Sequence, residues 1–378
     1  MQDRIAHRLH DFDSGKIRQA FELAKEIPNQ IDLSIGFPEE NTPEEVKQAG
    51  ITAIQQNHTT YLPTNGLAEL RQSIAQKLAA ENNIRSSAED ITVTPGLTTA
   101  ILLCYLAILN PGDEIILPQP MFPPYYELTK LAGAVPVPLE TFPDFQLSAE
   151  LIARKITEKT KAIVINSPNN PTGAVYDEDE LRKIAGLAKQ HGIIIISDEI
   201  YEYFSFDKPH FSIGSIYEST ITLNGFSKAY AMTGWRVGYI CAPPDIVEAI
   251  NQLQQYIVFS TSSIAQYAAV KALETPPIYL TDKYKQKRDL AVSTLSDVFP
   301  EIHGGQGAFY LFLKLPDGLE DIKVVNQLSH SGVIVLPGSA FCGRTDYIRI
   351  SFAGDMDVLR TGLERLKESI AALLRNSP

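Results

Sequence analysis

Lys228 stands in the stretch TLNGFSKAYAMTGWRVGY, residues 222–239, among small residues, with glycines on either side and Arg236 shortly after it. A lysine placed this way at the end of a strand loses part of its hydration, which lowers its pKa and frees the amine to attack a carbonyl. A solvated loop lysine is the plainer alternative. Asp198 follows four isoleucines and a serine in IIIISDEIY, and a carboxylate buried there needs a cationic or protonated partner. A structural arginine would serve as well as a ligand. TPGLTT, residues 94–99, could be only a turn and an N-cap, but a tight glycine turn before a helix also presents free backbone N–H groups suited to a phosphate. NSPNNPTG, residues 166–173, is rich in turn formers and by itself reads as a loop.

The elements that must position these groups alternate between strand and helix. DITVTPG reads as a strand ending in a turn, and LTTAILLCYLAIL as a buried helix directly after it. DEIILPQP, AVPVPLE and KAIVINSP are short apolar strands closed by Pro, Asn or Ser. DEDELRKIAGLAKQHG is an amphipathic helix stopped by Gly192, and the four isoleucines after it are too apolar for a strand facing water on either side. TITLNGFSK and VGYICAPP complete the series. The pattern predicts an α/β fold: a large domain, 45–275, with a mainly parallel sheet between helices, and a smaller α+β domain, 276–378. The smaller one holds the strands GAFYLFLKL, GVIVLPG and DYIRISFA and a closing amphipathic helix; the N-terminal segment 1–44 is expected to pack with it. In open α/β sheets ligands bind past the carboxyl ends of the strands, where all four polar clusters converge.

Composition removes other classes. A formal net charge of -12 and no dense Lys/Arg run argue against a nucleic-acid partner. Cys104, Cys241 and Cys342 lie far apart and odd in number, giving neither a disulfide framework nor a zinc-ligand spacing, so no metal is expected. The charged N-terminus lacks a signal-peptide core and no apolar run approaches a membrane span, which predicts a cytoplasmic protein with no membrane partner. Neither GGQG nor DSGK completes a Gly-Lys-Ser/Thr phosphate loop, and no Gly-x-Ser-x-Gly or His-Glu-x-x-His element is present. An amine for a Schiff base, a buried carboxylate, a phosphate cradle and a nearby arginine are together the parts that a pyridoxal phosphate site requires.

The ordered set LSIGFPE, YLPTNGLAELR, TPGLTTAI, PQPMFPPYYE, NSPNNPTGAVY, SDEIYEYFSF, NGFSKAYAMTGWRVGY, GAFY, LPGSAF and YIRISFA runs over nearly the whole chain. It resembles the fold type I pyridoxal phosphate-dependent aminotransferases of the class I/II family. The resemblance implies that Lys228 tethers the cofactor and shuttles a proton, and that Asp198 pairs with the pyridine nitrogen. It also implies that Tyr201 and Asn170 hydrogen-bond the phenolic oxygen, that Phe122 stacks on the ring face, and that Gly96, Leu97, Thr98 and Arg236 hold the phosphate. Tyr61 matches a tyrosine that reaches the phosphate of a neighbouring subunit, implying a homodimer with shared active sites. The substrate carboxylate is expected at Arg349, Asn170 and Gly36.

Three positions depart from better-studied members. Gly225 replaces a serine that touches the phosphate in some relatives, so that hydroxyl is either missing here or supplied by Ser227. Thr98 stands where certain aspartate-directed relatives carry lysine, and Phe37 where many show glutamate. The expected reaction is therefore transfer of an amino group from a neutral, aromatic or sulfur-containing L-amino acid to a 2-oxo acid such as 2-oxoglutarate. A C–S β-lyase and an aspartate-specific aminotransferase remain as alternatives. A cofactor-sensing regulator would need an added DNA-binding domain, for which the chain has no spare length.

Overall fold

The computed structural model describes residues 4–9, 12 and 30–376. Its strands are β1 (Ile31–Asp32), β2 (Ile91–Thr94), β3 (Glu114–Gln119), β4 (Val135–Glu140), β5 (Thr160–Asn166), β6 (Ile194–Asp198), β7 (Thr220–Gly225), β8 (Gly238–Cys241), β9 (Tyr310–Lys314), β10 (Val333–Ile334), β11 (Leu336–Pro337) and β12 (Tyr347–Ser351). Seven form one sheet in the order β2-β8-β7-β6-β5-β3-β4. Only β8 runs against its neighbours.

Side-chain alternation explains why this sheet is covered on both faces. Ile115, Leu117, Ala162, Val164, Ile196, Ile221 and Leu223 enter one apolar cluster, whereas Ile116, Ile163, Ile165 and Ile195 enter another on the opposite face. The helix Leu97–Ile108 packs on the first face through Ala100, Ile101, Leu103 and Cys104. The helix Glu178–His191 covers the second with Leu181, Ile184, Ala185 and Ala188, a three-and-four spacing that lines one helical stripe. Its first turn carries Glu178, Asp179 and Glu180, and Gly192 ends it at φ 66°. A third cluster joins the helices Ala68–Glu81 and Ser263–Leu273 to β9, β12 and the closing helix Met356–Asn376. Cys104, Cys241 and Cys342 are free and buried, one in each cluster.

β9, β11 and β12 form a small antiparallel sheet, and β1 pairs in parallel with β10. Half of the N-terminal segment 1–44 lies outside the described residues; from Ile31 to Leu33 its backbone joins β10, Ile31 opposite Val333. GVIVLPG differs from the single strand expected of it. Val333–Ile334 bonds to β1, Leu336–Pro337 bonds to β12, and the chain changes sheets between them.

After β1 a strap of residues 34–42 crosses toward the ends of the large sheet. Glu39 accepts Lys287 at 2.8 Å and Glu40 accepts Lys283 at 2.7 Å and the Tyr284 hydroxyl at 2.7 Å, fixing the strap to the helix Leu280–Leu295. Lys287 is fully buried, so its pairing with Glu39 is what makes that burial tolerable.

Candidate active site

A cavity of about 200 Å³ opens where β5, β6 and β7 end, and the strap together with β9 and β12 closes its other side. β5 and β6 are in register so that Asn166 lies opposite Asp198 at this edge. β8 begins here because it runs the other way, which brings Arg236, two residues before it, to the same edge.

Asp198 is 4% exposed. One carboxylate oxygen accepts the Tyr125 hydroxyl at 2.6 Å and the other the Ile200 N–H at 3.2 Å. Burial raises its pKa to about 6 against these two hydrogen bonds. The Lys228 amine donates to the Gly36 carbonyl at 2.6 Å and lies 5.9 Å from the centre of the Tyr201 ring. Burial, then the charges of Arg349 and Arg236, lower its pKa to about 8, with Asp198 opposing them.

Arg349, on β12, is buried with its guanidinium between the rings of Tyr310 and Phe341, at 4.4 and 4.8 Å. It donates to the Asn170 side-chain oxygen at 3.1 Å and to the Ser34 carbonyl at 2.7 Å, while its buried Nε has no partner. Asn170 is held in turn by its own N–H on the Asn166 side chain at 2.8 Å. The Tyr201 and Tyr310 hydroxyls are 3.1 Å apart, and burial pushes the Tyr201 phenol well up.

Gly96 turns the chain at φ 85° between β2 and the helix Leu97–Ile108, and any Cβ there would run into the Arg236 guanidinium. Leu97, Thr98, Phe122, Ser227 and Arg236 all line the cavity, and among the described residues Arg236 has only the Thr233 carbonyl, at 3.0 Å, as hydrogen-bond partner. Gly225 does not line it. A side chain at 225 would meet the Gly238 Cα at 2.8 Å, so close pairing of β7 with β8 excludes the serine found in some relatives, and Ser227 is the hydroxyl facing the cavity.

Of the residues singled out from sequence, Lys228, Asp198, Tyr201, Asn170, Phe122, Leu97, Thr98, Arg236, Gly36 and Arg349 surround this one space, with Gly96 directly beneath Arg236. Tyr61 does not join them: it is 82% exposed, and its ring meets the edge of Phe259 at 4.8 Å. Tyr125 and Tyr310 line the cavity and were not singled out. Tyr125 had a signal, since it lies three residues beyond Phe122 on one helical turn; Tyr310 had none beyond its place in GAFY.

These residues fit pyridoxal phosphate. Three cations, Lys228, Arg236 and Arg349, face the cavity with one carboxylate, and no described ion pair engages any of them. A site so arranged in an acidic chain is built for anions, and a phosphate at the glycine turn and a carboxylate at Arg349 would suit it. The orphaned Arg349 Nε and the space that a Cβ at Gly96 would fill are the features such groups would complete.

The family described as aminotransferase class I and II matches residues 28–366. The chain is 38% identical to the probable aspartate/prephenate aminotransferase of Thermus aquaticus, over 93% of this chain and 94% of that protein. It is 36% identical to aromatic-amino-acid aminotransferase 2 of Thermococcus litoralis, over 96% and 97%. The solved structure of Thermus thermophilus aspartate aminotransferase with maleate superposes with a TM-score of 0.92 at 35% identity, covering 98% of this chain and all of that one. With cavity, cradle and sequence in agreement over almost its full length, the chain belongs to the class I and II aminotransferases, enzymes that depend on pyridoxal phosphate.

Proposed function

We propose that this aminotransferase moves the amino group of a neutral or aromatic L-amino acid, sulfur-containing ones included, to a 2-oxo acid such as 2-oxoglutarate. The observation that carries this reading is the cation count. Arg236 is assigned to phosphate, Arg349 to the substrate α-carboxylate and Lys228 to chemistry, and among the described residues of one chain the cavity lining holds no further Lys or Arg for a side-chain carboxylate. Thr98 offers only a hydroxyl, and the remaining walls are the rings of Phe122, Tyr125 and Tyr310 with Leu97 and Ile200.

Bound here, the cofactor supplies an aldehyde and an electron-withdrawing ring. Lys228 would hold it covalently and, once released, would take the proton from the substrate α-carbon on Nζ, which its depressed pKa permits. Asp198 keeps the ring nitrogen protonated. Tyr201 and Asn170 would donate to the phenolic oxygen, and Phe122, at the cavity wall, would lie against the ring face. The N–H groups at Leu97 and Thr98 and the Arg236 fork would take the phosphate; the Gly96 N–H, expected from sequence to join them, is already given to the Thr94 carbonyl at 2.8 Å, so Gly96 contributes the turn and not a donor. Arg349, with Asn170 and the Gly36 backbone, orients the substrate carboxylate.

The test is an amino-donor panel on the holoenzyme with 2-oxoglutarate and pyruvate as acceptors. Aromatic and neutral donors should exceed aspartate in kcat/KM by roughly tenfold or more, because a side-chain carboxylate meets no counter-charge. Aspartate as the best donor would overturn the substrate assignment. Release of pyruvate and ammonia from a β-substituted donor, without amino transfer, would replace it with a lyase.

We also infer a homodimer with shared sites. Tyr61 and Phe259 are exposed by 82% and 49% and meet edge-on at 4.8 Å, an aromatic surface of the kind that a second copy covers. Tyr61 would then reach the other copy's phosphate. Sedimentation equilibrium should give twice the chain mass, and Tyr61→Phe should weaken cofactor retention by roughly tenfold. A fully active monomer would refute this.

A further inference from the structure

Asp198 carries the electrostatic burden of the site, and how its side chain is held is visible in the structure. The helix Pro123–Leu131 starts at the cavity wall with Phe122 as its N-cap, and Tyr125 lies one turn in, 3% exposed, its ring edge-on to Phe122 at 5.7 Å. The Tyr125 hydroxyl donates to one Asp198 oxygen at 2.6 Å, and the Ile200 N–H to the other at 3.2 Å. Among the described residues the Tyr125 bond is the only one from a side chain, and it is the shorter of the two. Both Tyr125 and Asp198 line the cavity.

We infer that Tyr125 is a positioning residue acting through Asp198: by donating to one oxygen it keeps the carboxylate ionised and fixes its rotamer, leaving the remaining acceptor capacity for the cofactor's ring nitrogen. This rests on the pairing of Asp198 with that nitrogen proposed above. A donor on the carboxylate lowers its proton affinity, so the proton between carboxylate and nitrogen stays with nitrogen. Without the donor the carboxylate becomes the stronger base, and the proton moves toward oxygen. The same helical turn thus places Phe122 against the ring face and, through Asp198, governs the ring's far end.

The experiment uses holoenzyme loaded with cofactor labelled with ¹⁵N at the ring nitrogen, observed by NMR at fixed neutral pH. In the wild type the resonance should lie at the protonated position, and Asp198→Asn should move it to the neutral one. Tyr125→Phe, which deletes one oxygen and keeps the ring, should move it part of the way in the same direction and weaken cofactor binding by about tenfold. A neutral wild-type nitrogen, or one indifferent to Asp198→Asn, would sink the pairing itself. A protonated nitrogen that responds to Asp198→Asn but not to Tyr125→Phe would overturn the role of Tyr125 alone. Should Tyr125→Phe fail to fold, Tyr125→Leu decides by the same resonance: a shift toward the neutral position supports the role of Tyr125, and an unmoved resonance overturns it.

Discussion

Lys228→Ala should lower turnover by about 10⁴-fold or more, because one side chain supplies both the covalent tether and the proton carrier at the α-carbon. Borohydride treatment followed by mass spectrometry should find cofactor attached at position 228 in the wild type and none in the variant. The fold should survive, since the amine is partly buried beside the charges of Arg349 and Arg236, and its loss relieves that repulsion. A pH dependence accompanies this. With the amine at about 8, capture of the cofactor aldehyde by cofactor-free wild type should quicken as pH rises toward that value and level off above it. Undiminished turnover in Lys228→Ala would remove this residue from the chemistry.

Asp198→Asn should slow the reaction on the order of 10²–10³-fold, because a neutral amide no longer stabilises positive charge on the ring nitrogen. The same change should stabilise the cofactor-free protein at neutral pH. The folded-state pKa of Asp198, about 6, lies above its ordinary 3.8, so the stability tied to its protonated form is complete below the ordinary value and fades as pH rises through 6. Above that, the fold bears a buried charge that asparagine lacks. Denaturation of the two cofactor-free proteins at pH 7 should favour the variant by about 1–3 kcal/mol, with the gap closing near pH 4. Equal stability at both pH values would mean that burial does not strain this carboxylate.

Much of this was legible in the sequence. Four consecutive isoleucines require cover on both faces of β6, and the strand-helix alternation then dictates a parallel sheet whose carboxyl ends gather Asn170, Asp198 and Lys228. Gly192 as a helix stop and the glycine turn at 96 follow from local backbone physics. What escaped reading depends on proximity across the chain rather than spacing along it. Tyr125 is 73 residues from Asp198 and Tyr310 is 109 from Tyr201, and no local pattern announces either hydroxyl pair. Lys77, which pairs in a buried position with Glu202, is 125 residues from it and looks in sequence like any solvated helix lysine. GVIVLPG misleads for a related reason: its apolar run is continuous, but the partners β1 and β12 lie on different sheets, and only they decide where pairing changes.

The three cysteines carry a practical consequence. Each thiol sits in a separate apolar cluster, and burial pushes all three up and away from the reactive thiolate. A thiol reagent should therefore modify the native enzyme only as fast as each region breathes open. The chain carries its own set of three built-in reporters, and peptide mapping of a labelling time course would rank the clusters by how readily each one comes apart.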